Sequence, residues 1–131
     1  MMQRLPSPRW PMLDKEICEE IRRELEGARK AAAGGKAPLA RVCARRAAGT
    51  AVRVWLAHNP REGWGSGMVA CLQALAEDPK MPEEIRSSAA RLTARRQSFE
   101  ETGDPAAPID DAARIIVHLL GREALPPSSE Q

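Results

Sequence analysis

Residues 38–58 read PLARVCARRAAGTAVRVWLAH. Pro38 suits the first position of a helix, where its missing N–H costs nothing, and Asn59-Pro60 forbids continuation past about Ala57 or His58. At 100° per residue, Leu39, Cys43, Ala47, Thr50, Val54 and Ala57 fall on one predicted core arc, with Arg41 and Arg45 on the opposite, solvated arc. Beyond Gly49 that opposite arc fills with Val52, Trp55 and Leu56, so the second half of the helix is apolar nearly all round. A helix of that kind is buried on two sides. It is either the central helix of a bundle or the seam of a dimer.

The run Ala47, Ala48, Gly49, Ala51 allows a neighbouring backbone to come close, which accounts for a glycine that costs about 1 kcal/mol inside a helix. Ala31, Ala32 and Ala33 are the expected partners, at the end of a preceding helix that starts at the N-cap Asp14 and stops at Gly34-Gly35. That first helix carries Ile17, Cys18, Ile21, Leu25, Ala28 and Ala32 on one stripe and a glutamate-rich face opposite. The short connection predicts an antiparallel hairpin.

Outward from the hairpin, a glycine-rich loop around Trp64 leads into a third helix from about Ser66 to Ala76, closed by Asp78-Pro79. A fourth is expected from Pro82 to about Ser98, with Ile85, Ala89 and Leu92 inward and Arg86, Arg91, Arg95 and Arg96 outward or sideways. Gly103 to Pro108 reads as a linker. A fifth helix begins near Ile109 to Asp111 and ends around Gly121, burying Ala112, Ile115, Ile116 and Leu119. The expectation is an all-α domain, a four- or five-helix up-and-down bundle over residues 14–122. It is flanked by a proline-rich extended arm (1–13), which Trp10 pins to the bundle, and a mobile tail (123–131).

At 131 residues the chain is long enough to bury roughly two-thirds of its unfolded surface without a disulfide or metal staple. Ala, Arg, Glu and Leu dominate, Tyr is absent, and no alternating run of β-branched residues suggests a strand. A net charge of +2 is not a nucleic-acid footprint by itself. Cys18, Cys43 and Cys71 are odd in number, far apart and within apolar patterns, which fits reduced, buried thiols. With no signal peptide and no membrane-spanning stretch, the expected compartment is the cytoplasm.

Walker loops, dinucleotide fingerprints, H-E-x-x-H and nucleophile elbows are absent, and no metal or other cofactor is expected. One pairing stands out: Arg53, followed after four residues by His58. In size, in its opening helical hairpin and in the Ala- and Arg-rich segment Ala40 to Gly49, the chain resembles the small helical bundles of the HEPN superfamily. The pattern-level similarity runs over roughly residues 14–122, and HEPN ribonucleases carry an arginine followed after four to six residues by a histidine. The resemblance implies a protein that acts on or binds RNA, either a metal-independent endoribonuclease whose sites form across a homodimer or its degenerate, RNA-binding descendant. Arg53 would then stabilise the phosphate in the transition state and His58 would move a proton. It further implies a cognate antitoxin or nucleotidyltransferase protein as a partner.

The same residues carry structural readings. His58 at a helix C-terminus complements the dipole and hydrogen-bonds a free carbonyl, while Arg53 lays its stem on apolar neighbours and pairs with a glutamate of helix one. Arg41, Arg45 and Arg46, with Arg91, Arg95 and Arg96, form either an RNA-binding patch or a set of surface ion pairs. Arg114 and His118 read as a solvated face, sharing the polar arc of helix five with Asp111 and Arg122. The glycine-rich turn at Trp64 is either an anion site or a connector anchored by one tryptophan. A dimer would join through the Trp55 and Leu56 side of helix two or through helix five. The alternative function is a non-catalytic helical dimerisation or protein-interaction module.

Overall fold

The computed structural model describes residues 15–65, 67–94 and 104–125. The expected arm with Trp10, the N-cap Asp14, Ser66, Arg95, Arg96 and the tail from residue 126 lie outside the described residues. Five α-helices follow in order: α1 Lys15–Ala33, α2 Ala37–His58, α3 Met68–Glu77, α4 Glu83–Thr93 and α5 Ala107–Leu120, then a 3-10 turn over Arg122–Ala124. There is no strand among the described residues.

α2 is the central helix. It packs against α1 on one side and against α3, α4 and α5 on the other, while α4 touches both α3 and α5. The four helices α2 to α5 thus follow one another around the core, and α1 lies along α2, touches α5 and the 3-10 turn, and adds Ile21, Leu25 and Ala28 to the same core. No helix among the described residues is long and apolar enough to cross a membrane.

The α1–α2 connection follows directly from its glycines. Gly35 adopts φ +75°, a left-handed conformation that side chains resist. The N–H of Gly35 donates to Ala32 O at 3.1 Å and that of Lys36 to Ala31 O at 2.8 Å, so two end carbonyls of α1 are satisfied in a Schellman turn. The chain then re-enters helix at once, with Pro38 in the first turn of α2. At the other end of α2 both the backbone N–H and the side-chain Nδ2 of Asn59 donate to Trp55 O, at 2.9 and 3.0 Å, before Pro60 ends the helix.

The buried seam of α2 differs from the expected arc. Ala40, Ala44, Ala47, Ala48 and Ala51 are wholly buried, whereas Leu39 is 48% exposed and Ala57 is exposed. Side-chain bulk misleads on this helix. The close approach of its neighbours selects alanines, so the inward arc is rotated by about one position from the one that Leu39, Val54 and Ala57 suggest. Against this seam stand Ile21, Leu25 and Ala28 of α1, with no solvent exposure. Ile21 and Leu25 each contribute about 2 kcal/mol of burial, and the Ala28 methyl about 0.8 kcal/mol.

Gly49 permits a tight contact, but with a different helix from the one expected. A Cβ placed on Gly49 would lie 2.7 Å from Met68 Cβ and 2.8 Å from its Cγ, at the start of α3, rather than against Ala31 to Ala33 of α1. Other boundaries shift too. α4 ends at Thr93, with Ala94 already extended, where Ser98 was expected, and α5 starts at Ala107, taking Pro108 into its first turn. The packed chain runs past residue 122: Ala124 is wholly buried, and Arg22 Nε donates to Leu125 O at 3.2 Å, tying the 3-10 turn to α1.

Replacing Gly49 with alanine tests the α2–α3 approach. Helix propensity alone would stabilise the variant by about 1 kcal/mol, but overpacking costs about 1–3 kcal/mol and is expected to win, because the nearest atom sits directly on the α3 backbone. Urea denaturation should show a lower midpoint for Gly49→Ala, and adding Met68→Ala should not restore it, since alanine keeps the offending Cβ.

Candidate functional site

α2 remains helical through His58, so Arg53 and His58 project about 140° apart around one axis. The His58 ring folds back on its own helix. Its Nδ1 lies 3.3 Å from Val54 O, a carbonyl to which an Nδ1–H would donate. Arg53 is exposed and makes no hydrogen bond or ion pair with any described residue. It lies close enough to Cys71 to act on that thiol electrostatically. Burial pushes the Cys71 thiol above its ordinary value, and the Arg53 charge pulls weakly the other way. The chain therefore does not itself bring the predicted arginine and histidine together.

Trp55 and Leu56 are half-buried and pack against the core. The indole of Trp55 faces Trp64 at 5.9 Å between ring centroids, tilted by 39°. The Arg61 guanidinium lies 5.2 Å from the Trp55 ring and 6.0 Å from Trp64, and it also reaches Asp78 at 4.0 Å. Trp64 thus anchors the glycine-rich connector, through a cation–π contact that the sequence reading missed.

The arginines expected on a solvated arc are mostly spent within the fold. Arg41 Nη2 donates to Arg91 O at 2.6 Å and to Ala94 O at 3.1 Å, and Arg45 Nε donates to Leu92 O at 3.0 Å. These are carbonyls in the last turn of α4, which find no other donor among the described residues. Two guanidiniums from the central helix therefore cap the C-terminus of another, where positive charge also complements the helix dipole. Arg46 alone of the three stays on the surface, 3.9 Å from Glu24.

The most organised polar cluster is one the sequence did not announce. Asp111 of α5 is 4% exposed, not solvated, and it accepts from Arg91 Nε at 3.1 and 3.2 Å, from Arg91 Nη2 at 2.8 Å and from Arg114 Nη1 at 3.0 Å. Buried Ser88 Oγ lies 3.4 Å from both guanidiniums. The hydrogen bond to Asp111 raises the Arg91 pKa further above its ordinary value, so this arginine stays charged throughout the working range of pH. Asp111 lies four residues before Ile115 and eight before Leu119, both buried, and that spacing was the available signal. Above the cluster an open cleft of about 640 Å³ is lined by Pro82, Glu83, Glu84, Ser87, Arg91 and Arg114. Among the described residues no three metal-ligating side chains gather.

Compared with known proteins, the chain matches no family model, no curated protein and no solved structure.

Removing guanidiniums while keeping aliphatic stems should separate cap from surface. Arg45→Met is expected to lose about 1–2 kcal/mol in urea unfolding, since it frees the partly buried Leu92 carbonyl, and Arg41→Met about 0.5–1 kcal/mol, because the carbonyls it releases are exposed and can turn to water. Arg46→Met should stay within about 0.5 kcal/mol. Asp111→Ala is expected to cost about 1–3 kcal/mol, moderated because both arginines can turn to water.

Proposed function

We propose that the chain is a non-catalytic helical interaction module that works as a homodimer. The observation that carries this reading is the unbroken course of α2 through His58, which holds Arg53 and the imidazole about 140° apart while Nδ1 is engaged by Val54 O. The employment of Arg41 and Arg45 as caps on α4 supports it, because a phosphate-binding surface would need those guanidiniums free.

A second reading follows from one residue. The exposed Arg53 makes no hydrogen bond or ion pair with any described residue, so a second copy would be able to bring its His58 to this arginine. In that arrangement the pair would act as in the HEPN ribonucleases the sequence resembles: the arginine steadies the phosphate and the imidazole moves a proton, without metal.

Incubating the purified chain with labelled RNA in EDTA, beside Arg53→Ala and His58→Ala, decides between them. The expected outcome is intact RNA with all three proteins and a dimeric mass by sedimentation. Cleavage by the wild type that both variants abolish would overturn the non-catalytic reading in favour of the second.

A further inference from the structure

The outward stripe of α4 carries its charges in an order that has a simple geometrical property. Glu83, Ser87 and Arg91 recur at intervals of four residues and so share one face, with Glu84 beside the first and Arg114 of α5 beside the last. The acids and arginines are thus separated by about 12 Å along the helix, with a small hydroxyl side chain midway. Neither Glu83 nor Glu84 makes an ion pair or side-chain hydrogen bond with any described residue. At the other end two guanidiniums share a single carboxylate, Asp111, which leaves one positive charge at the mouth of the cleft without an ion-pair partner among the described residues. Their side chains remain 57% and 49% exposed.

A ligand of one sign would be attracted at one end of this cleft and repelled at the other. A second α4 running antiparallel reverses the order, so that each acidic end meets the arginine end of its partner. Such a pairing is isologous, with the two-fold axis passing beside Ser87. The small side chains of Ser87 and the exposed Ala90 allow two helices to approach to about 8 Å, the close end of the usual interaxial range. From this the geometry points to a second copy of the same chain as the occupant of the α4–α5 cleft, bound antiparallel through reciprocal pairs of Glu83 and Glu84 with Arg91 and Arg114. The inference rests on the homodimer reading and specifies its surface as the α4 face with Arg114 of α5, a face that differs from both that of Trp55 and Leu56 and that of helix five.

Because the pairs lie at a hydrated surface, association is expected to weaken with salt. The experiment is sedimentation equilibrium of the full chain, in low and high salt, with two variants. Glu83→Lys/Glu84→Lys should raise the dissociation constant at least tenfold, since like charges then face each other. Ser87→Cys, placed at the axis, should form an interchain disulfide under mild oxidation, in a Cys18→Ser background that removes the one native thiol not buried. A dimer that is unchanged by the charge reversal and gives no Ser87→Cys cross-link overturns this face while leaving the homodimer reading intact. A chain that stays monomeric across the concentration range overturns both.

Discussion

The structure depends on how closely other helices can approach α2. Its wholly buried residues are five alanines and Val52, and Gly49 on a neighbouring arc takes the Met68 side chain at the start of α3 almost into contact. Short side chains contribute less burial per residue than leucines, but they let larger groups from every neighbour reach the axis of the bundle. Ile21 and Leu25 come from α1, Leu72 and Leu75 from α3, and Ile115, Ile116 and Leu120 from α5, all without solvent exposure. Bulk is supplied by the periphery and proximity by the centre, so the helices cannot be repacked one at a time.

This crowding explains the conduct of the polar groups. α4 ends beside α2, with the Leu92 carbonyl partly buried and those of Arg91 and Ala94 at the surface. Arg41 and Arg45 extend from α2 to meet them, while Arg91 from the same last turn of α4 is bound by Asp111 of α5. α4 is thereby fastened from two sides at one end. Its N-terminal turn, with Glu83 and Glu84, has no comparable fastening among the described residues, which gives the helix a braced end and a free one.

Much of the architecture is legible in the sequence because its signals are local. Gly34-Gly35 and Asn59-Pro60 state where two helices stop, and the apolar periodicity of α1 and α5 states which sides face inward. The tight contact at Gly49 was legible as a fact but not in its partner, since a glycine announces space without saying what fills it. The arginine caps were illegible for a physical reason: whether Arg41 is solvated depends on where a helix fifty residues away terminates, and α4 terminates earlier than its helix-favouring composition suggests. Asp111 was read by residue type when its spacing to Ile115 and Leu119 pointed inward. Of the site residues, Arg53 and His58 were a pattern in the chain, and an unbroken helix keeps them on different sides of it.

The pair of indoles at the end of α2 has an optical consequence. Trp55 belongs to the central helix and Trp64 to the connector, and at 5.9 Å their transitions are close enough to couple, with the Arg61 cation beside both. The circular dichroism of these two rings therefore records whether the connector between α2 and α3 is seated. Lifting that loop would extinguish the coupled signal while the helical backbone signal persisted, so the molecule carries its own gauge of a local opening distinct from global unfolding.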